Sequence, residues 1–230
     1  MNPTLNAGTL PAADAKAVSR RRFLGYAGAL AGASVLATSC NKDDDSGGGG
    51  VNLGGGDTGI LNYAYALEQL EAAFYTQVVD AGMSWASASE KQLLADIRDH
   101  EIAHREFFRA AIGSNRIQDL TPNFSTINFT SRDSVLQTAQ AFEDLGVQAY
   151  NGAGQLLMSA DYLALAGKIV SVEARHAAYI RELLKPVSFA DTSILDPTNR
   201  IDQHKMPPAV LSIAGKYITE RLDASKLPTL

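Results

Sequence analysis

The sequence predicts an all-α protein: a four-helix bundle with one long crossover between its second and third helices, then a C-terminal loop and a short helix. Three observations predict it. From Ile60 onward the apolar residues recur three and four apart, the period of helices that bury one face. Helix start and stop signals divide this pattern into four runs. The connections between the runs are short, long and short, which makes the first two helices antiparallel neighbours and the last two likewise.

The first helix is expected from about Asp57 to Ala81, with Gly82 as its stop. Ser87-Ala88-Ser89-Glu90 has the spacing of a capping box and opens the second helix, which runs to Gly113. Residues 114–130 are polar and contain Pro122, so they read as the crossover, with a short extended piece at Ser125–Phe129. The third helix starts at Ser131 or Asp133 and reaches about Met158. The fourth starts near Ser159–Asp161 and ends before Pro186, because proline cannot continue a helix and disfavours it in the preceding residue. Residues 186–208 carry four prolines and read as a surface loop; residues 209–222 read as a short fifth helix. The bundle thus occupies 58–185 and a C-terminal extension 186–230.

Each helix places an acid on the stripe that should be apolar. The inward positions are Ala64, Glu68, Glu71, Tyr75 and Val78 on the first helix, and Ile97, Glu101, His104 and Phe108 on the second. They are Ala139, Glu143, Gly146, Tyr150 and Ala153 on the third, and Ile169, Glu173, His176, Ile180 and Leu183 on the fourth. An ionised carboxylate buried without a partner costs several kcal/mol or is forced to take up a proton. Several at one level of a bundle also repel one another. Two divalent ions bring four positive charges and remove the conflict. Glu101-x-x-His104 and Glu173-x-x-His176 put a carboxylate and an imidazole one turn apart on one face, so each glutamate can bridge two ions while its histidine binds one. Glu68 and Glu143 complete a set of six ligands. Imidazole with carboxylate oxygen suits iron or manganese and does not separate them.

The two halves of the bundle repeat. Glu68 is followed seven residues later by Tyr75 and 33 residues later by Glu101; Glu143 is followed seven later by Tyr150 and 30 later by Glu173. The repeat aligns Glu71 with Gly146, which favours Glu68 as the ligand from the first helix and leaves Glu71 as an extra ligand or a hydrogen-bonding neighbour. Tyr75 and Tyr150 read as core tyrosines, with a role beside the centre as the alternative. Gly146, Gly152 and Gly154 either let helices approach closely or leave a channel for a small oxidant. His100 reads as a residue at the edge of the centre, and His204 as a solvated loop residue.

The chain carries 20 Lys and Arg against 25 Asp and Glu, and no basic cluster lies beyond the first forty residues, which argues against a nucleic-acid partner. Cys40 is the single cysteine, so no intrachain disulfide can form. Ser19, Arg20, Arg21, Phe23 and Leu24, followed by the short apolar stretch to Ala37, resemble a twin-arginine export signal. Leu36-Ala37-Thr38-Ser39-Cys40 resembles a lipoprotein cleavage box, although Ala37 stands where leucine is usual. The resemblance implies export to the periplasm or to the outer membrane or cell surface, with a lipid on Cys40 anchoring the chain to a membrane. Residues 41–57, rich in glycine and aspartate, read as a flexible tether.

The run Leu67-Glu68-Gln69-Leu70-Glu71-Ala72-Ala73-Phe74-Tyr75, with Glu101-x-x-His104, Glu143 and Glu173-x-x-His176, resembles the ferritin-like superfamily. More narrowly it resembles exported ferritin-like domain proteins of the desiccation-related type. The resemblance covers about residues 58–185. It implies a dinuclear non-haem site whose outcomes include ferroxidase, peroxidase and catalase-like chemistry, with a small oxidant or a metal ion as substrate. Two readings from different classes stand: a redox enzyme, and a non-catalytic stress or envelope protein with a structural or vestigial metal site. Storage in a hollow cage fits less well, because a lipid anchor and a long C-terminal tail both work against cage assembly; a simpler homo-oligomer is compatible with either reading.

Overall fold

The structure is a computed structural model that describes residues 50–230. The expected export signal, Cys40 and residues 41–49 of the expected tether lie outside the described residues. The main elements are β1 (Val51–Asn52), α1 (Gly56–Asp80), α2 (Ala88–Ile112), α3 (Arg132–Ala153), α4 (Ala160–Leu184), α5 (Pro207–Ala214) and β2 (Leu222–Asp223). α1 packs along α2 and α3 along α4 as two hairpins, and the segment between α2 and α3 crosses over to join them. Among the described residues no helix is long and apolar enough to cross a membrane.

The helix ends follow from local chemistry. Gly82 adopts a φ of 76°, a left-handed conformation that turns the chain out of α1 and that glycine reaches at little cost. Ser87 caps α2: its hydroxyl accepts from the Glu90 backbone N–H, and the Glu90 carboxylate accepts from the Ser87 N–H. The same carboxylate accepts from Arg132, at 2.7 Å, while Arg132 also donates to the Leu183 carbonyl. One guanidinium therefore ties together the starts of α2 and α3 and the end of α4.

α1 is the central helix. Every residue from Gly59 to Ala72 is buried, so the side away from the bundle needs a cover of its own. The crossover supplies it, held by polar side chains of α1. Asn62 donates to the carbonyls of Leu53 and Asn115 and accepts from the Ile117 N–H; Gln69 accepts from the Leu120 N–H; Tyr65 donates to Asp119. The C-terminal tail then pairs with the crossover through the Asn123 N–H to the Tyr217 carbonyl and the Thr219 N–H to the Thr121 carbonyl.

Four details differ from the sequence expectation. α3 ends at Ala153, not near Met158, and a 3-10 turn covers Gly154–Leu156. The Asp57 carboxylate accepts from the N–H groups of Met158 and Ser159, both at 2.8 Å, and draws the chain away so that Ser159 can cap α4. Ser125–Phe129 forms turns instead of an extended piece; the rings of Phe124 just before it and of Phe129 at its end both pack on Phe74. The short helix of the extension spans Pro207–Ala214, with proline in its first turn, and the chain beyond it pairs in parallel with β1. Residues 50–57 therefore belong to the fold and not to a tether: Val51 pairs with Leu222, α1 starts at Gly56, and Leu53 is fully buried.

The placement of Leu53 is open to a direct check. Leu53→Ala should lower stability by about 2–5 kcal/mol, the usual cost of truncating a buried leucine. Chemical denaturation measures it, and a silent substitution would return this segment to the tether.

Candidate metal centre

The four helices bring the predicted residues together at mid-height. Glu68, Glu101, Glu143 and Glu173 are each fully buried, and Glu71 is nearly so. One ligand atom from each of Glu68, Glu101, His104 and Glu173 lies within 4.8 Å of the others, and the same holds for Glu101, Glu143, Glu173 and His176. The two groups overlap in Glu101 and Glu173, one from each Glu-x-x-His pair. All six residues expected to bind metal are thus in one cluster, with two carboxylates placed to be shared.

Distances and directions in this cluster tell different things. His104 Nδ1 is 2.9 Å from Glu173 Oε1 and 3.4 Å from Glu68 Oε2. His176 Nδ1 is 2.8 Å from Glu101 Oε1 and 3.4 Å from Glu143 Oε2. Yet neither Nδ1 has an aligned hydrogen bond, nor do Glu68 Oε2, Glu143 Oε2 or either oxygen of Glu101 and Glu173. Buried polar atoms are almost always paired, and orphans of this kind call for an explanation. Here the orphans converge on common space instead of on each other. That is the arrangement in which lone pairs face a cation, and the donor set of imidazole and carboxylate fits a pair of divalent ions.

The tyrosines orient the outer carboxylates. Tyr75 on α1 donates to Glu143 Oε1 on α3 at 2.5 Å, and Tyr150 on α3 donates to Glu68 Oε1 on α1. Each bond occupies one carboxylate oxygen and leaves Oε2 facing the centre. Both tyrosines are core residues, as expected, but their hydroxyls touch the cluster directly. Gly146 has a separate use. A Cβ there would sit 3.2 Å from Glu71 Oε1 and 3.5 Å from Glu173 Oε2, so its missing side chain makes room for Glu71. Glu71 belongs to neither four-residue group. Gly152 instead admits the backbone of the extension, since a Cβ there would lie 2.0 Å from the Lys205 carbonyl oxygen.

Burial and the crowding of like charges set how the groups of the cluster hold their protons. Burial raises Glu68 to about 7, and the neighbouring Glu101 adds to the effect. Burial followed by the surrounding carboxylates pushes Glu71 and Glu173 well above the ordinary range, and burial also raises Glu143. Burial alone would depress His104, but Glu101, Glu173 and Glu68 outweigh it and bring the imidazole up to about 12. His176 rises to about 10 in the same way, against burial, through Glu101 and Glu143. Glu101 runs opposite: burial works against its charge, but His104 and His176 beside it hold it down at about 2.

Two features were not read from the sequence. His100, expected at the edge, reaches from α2 to α4: its Nδ1 lies 2.9 Å from His176 Nε2, and the two ring planes are 14° apart. Neighbours across two helices leave no mark in either helix's own periodicity. The second feature is an apolar cavity of about 30 Å³ beside the cluster. Leu67, Phe108, Tyr150, Gly154 and Ile169 are among the residues that line it, and Tyr150 joins it to the acids through Glu68. At roughly 10–15 Å³ per water-sized molecule, it has room for two or three atoms of that size.

A four-helix bundle with one long crossover, carrying carboxylates and two Glu-x-x-His pairs in its core, has the architecture of helical bundles whose buried acids and imidazoles can hold metal. The ferritin-like domain family matches residues 56–186, and the chain belongs to that family. No curated protein matches the chain.

The proton count makes a prediction about pH. A group whose pKa is raised on folding stabilises the protein below its unfolded pKa, and that contribution is lost as pH climbs through the folded value. Glu68, Glu71, Glu143, Glu173, His104 and His176 are all of this kind; Glu101 alone is lowered, and its window lies in acid. The melting temperature of chelator-treated protein should therefore fall between roughly pH 5 and pH 8. Anaerobic Fe(II) or Mn(II) should oppose the fall, because bound ions require deprotonated ligands. Melting curves that ignore both pH and added ion would contradict this account of the cluster.

Proposed function

We propose that the protein holds two iron or manganese ions and carries out redox chemistry on O2 or a peroxide. The observation that carries this reading is the convergence of unpaired, buried ligand atoms in two groups that share Glu101 and Glu173. Glu68, Glu101, His104 and Glu173 would hold one ion, and Glu101, Glu143, Glu173 and His176 the other. When bound, such a pair supplies electrons and Lewis acidity to a small oxidant.

The chain's own residues prepare the site for this. Tyr150 and Tyr75 keep a proton at their phenolic oxygens and use it to hold Glu68 and Glu143 in place. Four positive charges balance Glu68, Glu101, Glu143 and Glu173, and Glu71, the acid with the crowded environment, retains its proton. Burial excludes bulk water from the acids. The apolar cavity abuts Tyr150 and suits a small oxidant of low polarity better than a hydrated cation or a large organic substrate. We propose as well that residues 1–40 direct export and that Cys40 carries the lipid; the motif around Arg20 and Arg21 and the position of the cysteine support this.

Elemental analysis of protein purified from its native host tests the central claim. A ratio near two iron or manganese ions per chain is expected, with consumption of O2 or peroxide by the reduced, loaded protein. Glu101→Ala and Glu173→Ala should each remove a shared ligand and lower metal content and turnover by at least about 10–100-fold. Full metal occupancy with no oxidant consumed would favour the non-catalytic reading. Absence of metal from host-purified and reconstituted protein alike would overturn the dinuclear one.

A further inference from the structure

We infer that the two halves of the centre are unequal: the position served by His176 takes a divalent ion first and holds it more tightly, and His100 is the positioning residue that makes the difference. This rests on the dinuclear reading above. It goes beyond that reading by assigning a role to a residue outside the six ligands and an order to the two ions.

The argument begins with the tautomer. Both His104 and His176 turn Nδ1 toward the carboxylates. A neutral imidazole that offers its Nδ1 lone pair must carry its proton on Nε2. For His176 that proton has an acceptor, since His100 Nδ1 stands 2.9 Å from His176 Nε2. The bond selects the tautomer that binds a cation and fixes the plane of the ring. For His104 no described residue lies in hydrogen-bonding position at Nε2, and its side chain is 13% exposed against 6% for His176. Among the described residues, only the carboxylates at Nδ1 and the packing around the ring aim it.

The internal repeat shows that this difference is written into the chain. The two metal-binding pairs are His100-Glu101-x-x-His104 and Val172-Glu173-x-x-His176. His100 on α2 faces His176 on α4, so the equivalent neighbour of His104 would come from the residue before Glu173. That residue is Val172, which has no acceptor to offer. The halves match in their ligands and differ in the group behind the histidine. Because Glu101 and Glu173 belong to both ligand groups, the ion that arrives first also draws those carboxylates into its own geometry. The half with the oriented histidine is the one placed to do so.

The test is an anaerobic titration of the metal-free full chain with Co(II), followed by calorimetry and by the visible absorption of the bound ion. Wild type should take up two ions in steps separated by about 10-fold or more in affinity. His100→Ala should weaken the tighter step by about 10–100-fold, the usual effect of losing a partner behind a metal-binding histidine. His100→Asn, whose amide oxygen can accept the same proton, should retain the separation. Val172→His should tighten the weaker step by giving His104 its missing partner. His100 is exposed and Val172 half-buried, and circular dichroism of each metal-free variant checks that it folds. Two equal steps in wild type, or unequal steps that His100→Ala leaves unchanged, would overturn the inference while leaving the dinuclear reading intact. A wild-type chain that binds no Co(II) at all would overturn both.

Discussion

Buried negative charge is the constraint around which the rest of the bundle is organised. Five glutamates share the interior with two imidazoles. In a medium of low polarity such a group is tolerated only when protons or cations neutralise it. Each helix carries part of the cost: an acid stands where an apolar residue would have stabilised the packing. The raised values of Glu71, Glu143 and Glu173 and the strongly raised imidazoles follow from that constraint. The tyrosine hydroxyls, the gap at Gly146 and the His100–His176 bond are arranged around the same group of atoms.

Keeping this cluster in register requires a stiff frame, and α1 supplies its axis. It contributes Glu68, Glu71 and Tyr75 to the centre on one side, while Asn62, Tyr65 and Gln69 hold the crossover on the other. Leu53 and the short parallel pair β1–β2 lock its entrance, so both ends of the described chain meet near the start of the central helix. Residues far from the acids thereby take part in the positioning of the acids, because a site on a helix is as well defined as the packing of that helix.

The two hairpins are near-repeats, and their departures from symmetry are as informative as their agreement. Glu71 sits against Gly146, its counterpart in the other half, so one extra carboxylate fills the space of one missing side chain. His100 stands behind His176, but with Val172 as its counterpart no described residue stands behind His104 Nε2. The residue types that converge on the centre are shared by the halves; the groups behind the histidines are not. A near-symmetric set of buried donors thus has unequal neighbours behind its two histidines.

The sequence alone determined the helical class, the four runs, the capping box at Ser87 and the six residues of the cluster. Those features are periodic or local: an acid on an apolar stripe is visible from the spacing of its own helix. The stripes also carried Tyr75, Tyr150 and Glu71, but not what their polar atoms would meet. Tertiary structure decided that Tyr75 reaches Glu143 and Tyr150 reaches Glu68, that Gly146 admits Glu71 while Gly152 admits the Lys205 backbone, that His100 backs His176, and that residues 50–57 join the fold by pairing with the C-terminal tail. Each depends on the distance between elements far apart in the chain, which the period of any one segment does not encode.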